Sequence, residues 1–204
     1  MSRLLLVRHG DTRANSAERF WGHTDVALSD DGVKQAEQLR HRLASEKIGF
    51  AYASDLCRAS LTAEIIAHPH RLDVVICTEL HEVNFGKVEG LNFKEISQQY
   101  PALAASWSTR DMNFRFPEGE SIGDLNHRVS QFLPRLVKHA PEDTLLIVAH
   151  SGVLRLLICQ LLEIAPQHWR QIRTDLASLT VIETYPQGAI LNLLNDTSHL
   201  NKEV

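Results

Sequence analysis

Short runs of apolar residues, each bounded by polar residues or glycine, recur along the chain and predict buried β-strands. The predicted strands span residues 4–7, 50–54, 72–78, 144–149, 178–184 and 189–194. Between them, apolar residues recur three or four positions apart, a spacing typical of one face of an α-helix. Predicted helices begin after polar capping residues at Ser29, Ser54 or Asp55, Asn92, Ser121 and Ser151. Pro134 is expected to kink the helix that follows Ser121.

This alternation of strands and helices indicates the α/β fold class. It favours three layers, with helices on both faces of a mostly parallel central sheet. No internal repeat or linker interrupts the pattern, and 204 residues suffice for one large domain. We therefore expect a single domain over residues 1–196, followed by a polar C-terminal tail at residues 197–204.

Two of the predicted strands end in a histidine. His9 follows the first strand, His150 follows the fourth, and a glycine comes within two residues of each. Ligands of open α/β sheets bind beyond the carboxyl ends of the parallel strands. If these two strands are parallel neighbours, both imidazoles emerge at the same edge of the sheet.

Two arginines and a carboxylate are expected at that same edge. Arg8 accompanies His9, and Arg58 lies in the first turn of a predicted helix, where the helix dipole already favours anions. Glu82 lies in the loop after the third strand. A phosphoryl group suits this set, because arginine presents forked donors to its oxygens.

The same residues supply the parts of a two-step hydrolysis. A neutral imidazole can attack phosphorus in line and form a phosphohistidine. A carboxylic acid can then protonate the leaving alkoxide, and its carboxylate can activate water in the second step. Glu82 is the candidate for that acid.

Composition restricts the partners of the chain. A net charge of −4 and 44% hydrophobic residues argue against a nucleic-acid or anionic-membrane surface. Three widely separated cysteines suggest a reducing compartment, so we expect a cytoplasmic protein without signal peptide or membrane helix. His68 and His70 are close in sequence but have no carboxylate or cysteine partner nearby, so we predict no metal site there.

Five blocks of the chain, in order, resemble the histidine phosphatase superfamily, the phosphoglycerate-mutase-like group. The first is Leu6-Val7-Arg8-His9-Gly10-Asp11-Thr12, with Asn15 after it, and the last is Val148-Ala149-His150-Ser151-Gly152. The others are residues 19–25 with 28–32, residues 54–59 and residues 80–90.

The resemblance implies a three-layer αβα sandwich and assigns roles to individual residues. His9 would be the phosphorylated nucleophile and Glu82 the proton donor. Arg8, Arg58 and His150 would bind the phosphoryl oxygens, with a further hydrogen bond from Asn15. The family needs no metal or other cofactor, and its partners are small-molecule phosphate esters.

Within the family, a phosphatase is favoured over a phosphoglycerate mutase. The stretch between Glu82 and His150 is short for a mutase and lacks paired arginines for a second phosphate and a carboxylate. Residues 20–23 and 79–86 resemble the α-ribazole phosphatases of cobalamin biosynthesis. The implied substrate is α-ribazole 5'-phosphate, whose base Trp21 could stack upon, with Gly22, His23 and Ser151 as further substrate-binding residues.

Three alternatives stay open, and the phosphoglycerate mutase, although less favoured, is one of them. Residues 114–121 resemble a segment of the fructose-2,6-bisphosphatase branch, in which Arg115 would assist sugar-phosphate binding. A binding module for phosphorylated ligands, with little turnover, is the alternative outside enzymes. Such a module would be expected to lack the nucleophile or the acid, whereas this chain has both His9 and Glu82.

Overall fold

A six-stranded sheet of order β3-β2-β4-β1-β5-β6 forms the centre of the protein. The computed structural model describes residues 2–14, 19–107, 109 and 111–200. The strands are β1 (Ser2–Arg8), β2 (Ile48–Ala53), β3 (Val74–Ile76), β4 (Thr144–Ala149), β5 (Leu179–Tyr185) and β6 (Gly188–Asp196). The first four are mutually parallel, whereas β5 and β6 run antiparallel, so the predicted mostly parallel sheet is confirmed.

Helices cover both faces of this sheet, as a three-layer fold requires. They are α1 (Asp30–Leu43), α2 (Cys57–Ala67), α3 (Phe93–Gln99), α4 (Pro101–Trp107), α5 (Ile122–Ser130), α6 (Leu133–Leu136) and α7 (Ser151–Leu161). Alternate residues of β1 face opposite layers: Leu4 and Leu6 join the core with α5 and α7, and Leu5 and Val7 join the core with α1 and α2. The predicted α/β sandwich is therefore confirmed.

The register between β1 and β4 brings the ends of the two strands side by side. Arg8 lies opposite Ala149 in this parallel pair, and the His9 amide donates to the Ala149 carbonyl oxygen at 3.1 Å. His9 and His150 therefore leave the sheet at the same edge, as the sequence predicted.

Three of the predicted helix caps are present. The Ser29 hydroxyl accepts from the Gly32 amide, and Asn92 and Ser121 each form a reciprocal capping box, with Glu95 and Asp124. Such caps satisfy amides that the first turn of a helix leaves without partners.

The prediction that Ser151 caps the last helix is wrong. His150 occupies the N-cap position of α7 without a side-chain capping bond, and Ser151 is the first helical residue. The Ser151 hydroxyl instead pairs with the Thr174 hydroxyl at 2.9 Å. The break at Pro134 is sharper than the predicted kink, because α5 ends at Ser130 and α6 begins at Leu133.

The start of the polar tail folds back onto the domain. Leu200 packs against the core that contains α1 and α2, and a His199 ring nitrogen lies 2.9 Å from the Ala177 carbonyl oxygen. In the described part of the chain, no helix has both the length and the apolar character needed to cross a bilayer.

Candidate active site

The ring of His9 is buried and held in one tautomer. His9 is the first residue after β1, and 6% of its surface is exposed. Nδ1 lies 2.7 Å from the carbonyl oxygen of Gly10. Because a carbonyl oxygen only accepts, Nδ1 carries the proton, and the lone pair of a neutral ring is then on Nε2. This is the arrangement that a nucleophilic imidazole needs.

His150 lies against His9, with ring centroids 5.0 Å apart. Both of its ring nitrogens are buried and have no hydrogen-bond partner among the described residues. A buried polar atom without a partner costs free energy, and such atoms concentrate where a ligand is bound. His150 can therefore donate to a group placed beside His9.

Burial keeps both histidines neutral. It lowers the pKa of His9 well below the usual value of 6.5, and the charges of Arg8 and Arg58 lower it further. Burial likewise lowers the pKa of His150, again with help from Arg58. A neutral ring at His9 is the reactive form for attack on phosphorus.

The two predicted arginines lie beside these rings, Arg58 buried and Arg8 half-buried. Arg8 donates from Nη1 to the Thr174 carbonyl oxygen at 2.8 Å, and its Nε is buried without a partner in the described chain. Burial lowers the pKa of Arg8 to about 10, although the charge of Glu82 opposes this shift. Neither Arg8 nor Arg58 forms a salt bridge with a carboxylate among the described residues, so both guanidinium groups can still donate to an anion.

Arg58 is fixed by the loop that contains Gly22. It is 1% exposed, lies in the first turn of α2, and donates to the carbonyl oxygens of Gly22 at 2.7 Å and Thr24 at 2.9 Å. The backbone amides of Gly22, His23 and Thr24 point the other way and donate to the Glu89 carboxylate at 2.9–3.1 Å. Glu89 thus fixes the backbone of residues 22–24, and two carbonyl oxygens of that backbone in turn fix Arg58.

The sequence alone assigned no role to Glu89. The residue falls inside the fourth block of the family resemblance, but apart from the Phe85 amide its partners are backbone amides more than sixty positions away. Backbone acceptor and donor patterns leave no signature in residue types, so only the folded chain reveals this clamp.

Glu82 is buried, with 7% of the residue exposed, and its carboxylate is aimed by two amides. Oε1 accepts from the Val83 amide at 3.0 Å, and Oε2 accepts from the Gly152 amide, in the first turn of α7, at 3.2 Å. Burial lowers the pKa of both Arg8 and Arg58, and the charge of Glu82 opposes that shift at each of them. The carboxyl therefore borders the site in which an anion would bind.

A cavity of about 640 Å³ opens beside Arg8 and Glu82, and the two histidine rings are not part of its lining. Its polar part includes Arg8, Glu82, Ser151 and Arg155. Five aromatic side chains contribute to its lining: Phe20, Trp21, Phe85, Trp107 and Trp169. Pockets of this volume, apolar with a few convergent polar groups, are typical of small-molecule sites.

Trp21 is fixed within this lining. Its indole N–H donates to the Ala14 carbonyl oxygen at 3.2 Å. Its ring packs closely against Gly90: any side chain at that position would place its Cβ 3.1 Å from the ring. The side chain is therefore a rigid wall of the cavity rather than a free surface group.

The other predicted site residues lie in different places. His23 is exposed and contacts His81, with ring centroids 4.1 Å apart and ring planes tilted by 45°, and it is not among the cavity-lining residues. Asn15 lies outside the described residues. Arg115 donates to the Gly119 carbonyl oxygen and pairs with Asp124 on the surface, without lining the cavity. The described residues contain no group of three or more His, Cys, Asp or Glu that could hold a metal ion.

Comparison with known proteins identifies similar chains along the full length. Residues 4–197 match the family model described as histidine phosphatase superfamily (branch 1). The chain is 31% identical to phosphoserine phosphatase 1 of Hydrogenobacter thermophilus, over 99% of this chain and 96% of that protein. It is also 31% identical to adenosylcobalamin/alpha-ribazole phosphatase of Escherichia coli, over 95% of each. The crystal structure of the alpha-ribazole phosphatase from Shigella flexneri matches with a TM-score of 0.86 at 31% identity, covering 95% of this chain and 96% of that one.

The low pKa of the buried histidines predicts a pH dependence of stability. Since the folded pKa lies below the unfolded one, the unfolded chain binds more protons below about pH 6.5, and the free energy of unfolding falls as pH falls. His9→Asn should reduce that slope by up to about 1.4 kcal/mol per pH unit. Urea unfolding between pH 7.5 and 5.5, in phosphate-free buffer, measures it; equal slopes for the two proteins would contradict the assignment.

Proposed function

This chain belongs to the histidine phosphatase superfamily, and we propose that it hydrolyses a phosphomonoester through a phosphohistidine on His9. The observation that carries this proposal is the state of the His9 ring. Its Nδ1–H donates to the Gly10 carbonyl oxygen, its Nε2 is left with the lone pair, and the positive charges of Arg8 and Arg58 act on the ring.

In the first step, Nε2 of His9 attacks phosphorus and the bond from phosphorus to the ester oxygen breaks. Arg8, Arg58 and His150 donate to the phosphoryl oxygens, whose charge needs fixed donors as it redistributes. The carboxyl of Glu82 gives its proton to the departing oxygen, so that an alcohol leaves rather than an alkoxide.

In the second step, water attacks the phosphohistidine. The Glu82 carboxylate accepts a proton from that water as the new phosphorus–oxygen bond forms. The phosphorus–nitrogen bond breaks, its electron pair returns to Nε2 of His9, and inorganic phosphate is released. Glu82 is then protonated again, as the next cycle requires.

We propose α-ribazole 5'-phosphate as the substrate, which would make the reaction a step of cobalamin biosynthesis. The aromatic lining of the cavity supports this proposal, because a flat heteroaromatic base can stack on such side chains. Trp21 is rigidly held in that lining. The similarity to alpha-ribazole phosphatases adds support, and Arg115, on which a sugar-bisphosphate substrate would depend, does not line the cavity.

A second candidate is a phosphomonoester that carries a carboxylate, such as phosphoserine. Arg155 favours it, because this arginine lines the cavity and its Nε is buried without a partner among the described residues. A carboxylate would supply the missing acceptor. One of the similar proteins is named phosphoserine phosphatase 1.

The two candidate substrates are distinguished by their values of kcat/KM. The kcat/KM for α-ribazole 5'-phosphate should be at least about tenfold higher than that for phosphoserine, 3-phosphoglycerate or fructose 2,6-bisphosphate. Aromatic stacking can supply a difference of this size. Trp21→Leu should lower that preference, whereas Phe50→Leu, an exposed aromatic on β2 outside the cavity, should not. A preference for phosphoserine that Arg155→Gln abolishes would favour the second candidate instead.

The role of Glu82 predicts a dependence on the leaving group. Glu82→Gln should lower kcat on an alkyl phosphate by about 10²- to 10⁴-fold, the usual contribution of a general acid. The loss on p-nitrophenyl phosphate should be far smaller, because nitrophenolate leaves without a proton. Steady-state kinetics on each ester, in the presence of excess chelator, measure the two losses in kcat. Glu79→Gln, in the same loop, is the control variant. Equal losses on the two esters would contradict the assignment.

A further inference from the structure

Arg128 of α5 holds the backbone around Glu82. Its guanidinium donates to three carbonyl oxygens: Nη1 to Glu79 at 3.1 Å and His81 at 2.5 Å, and Nη2 to Glu82 at 3.2 Å. Nε and Nη2 also form a bidentate pair with the Glu120 carboxylate, at 2.9 and 2.8 Å. The side chain is only 20% exposed, so these bonds are largely shielded from water.

Glu120 extends the same network to the far side of Glu82. Its Oε2 accepts from the Asn84 amide at 2.9 Å, in addition to the bond from Arg128. The backbone is thus held at residues 79, 81 and 82 by Arg128 and at residue 84 by Glu120. Residues 81–85, which include Glu82, lie between two short 3-10 helices and belong to no strand or helix themselves.

Arg128 itself does not line the cavity, whereas Glu82 does. Any effect of Arg128 on the reaction would therefore act through the backbone that it holds, without contact between Arg128 and the substrate. Glu82 reaches Gly152 across a single hydrogen bond of 3.2 Å, so a shift of its backbone would move the carboxyl relative to α7. Misplacement of a reacting group by about 1 Å can lower a rate by about 10²-fold.

We propose that Arg128 is a positioning residue, which fixes the loop of Glu82 so that its carboxyl meets the leaving oxygen. The proposal rests on the proposed function of Glu82 as the proton donor. Lysine cannot replace the arginine, because an ammonium is a point donor and cannot span three carbonyls and a carboxylate at once.

Arg128→Lys tests the proposal, and Arg135→Lys is the matched control. Arg135 lies seven residues further on and also binds the Glu79 segment, but only through the Glu79 carboxylate, at 2.8 Å. Arg128→Lys should lower kcat on an alkyl phosphate at least tenfold and kcat on p-nitrophenyl phosphate less than threefold. Inhibition by inorganic phosphate should stay unchanged, because Arg8 and Arg58 are intact. Arg135→Lys should change none of these.

A double variant separates positioning from a general loss of structure. If Arg128 acts through Glu82, adding Arg128→Lys to Glu82→Gln should cost little more on the alkyl ester. Equal losses of Arg128→Lys on both esters, or a full additional loss in the Glu82→Gln background, would overturn the proposal.

Two further results keep the test decisive. If Arg128→Lys does not fold, Glu120→Gln is tested in its place, because this change weakens the bond to the Asn84 amide and the bidentate pair with Arg128. A selective loss of kcat on the alkyl ester then supports the proposal, and an equal loss on both esters overturns it. If Glu82→Gln itself shows no leaving-group dependence, the acid assignment fails, and the positioning role, which rests on it, is overturned with it.

Discussion

The parallel register between β1 and β4 is the constraint on which the candidate site depends. Pairing of Arg8 with Ala149 makes the next residue of each strand, His9 and His150, emerge at one point with rings 5.0 Å apart. A one-residue slip would turn every side chain to the other face of the sheet and separate the two rings. Both faces of β1 and β4 are apolar, so this slip is opposed by the close packing of the two cores on either side of the sheet rather than by polarity.

The charges of the site follow from that burial. Arg8 and Arg58 form no salt bridge with a carboxylate in the described part of the chain, and backbone carbonyls of Thr174, Gly22 and Thr24 supply part of the hydration that their guanidinium groups lose. The same cations, together with burial, keep the histidines neutral. The bound phosphate group would complete the charge balance, while leaving His9 able to react.

The sequence predicted those parts of the site that depend on local patterns. Apolar runs that end in histidine marked β1 and β4, and Arg58 lies in the first turn of α2 as predicted, although Leu56 rather than Ser54 or Asp55 is the N-cap residue. Residues with backbone partners escaped prediction: Glu89 and Arg128 bind amides and carbonyls far along the chain, which no residue pattern encodes. The cap expected at Ser151 failed for a related reason, since Thr174 competes for its hydroxyl from a distant segment.

The central claim is that His9 carries the phosphoryl group during turnover. Rapid quenching of the enzyme with ³²P-labelled phosphate ester, followed by peptide mapping, tests it most directly. We expect acid-labile, base-stable label on the peptide that contains His9, forming and decaying fast enough to account for kcat, and none in His9→Ala. Label on another residue, or full turnover in His9→Ala, would contradict the account.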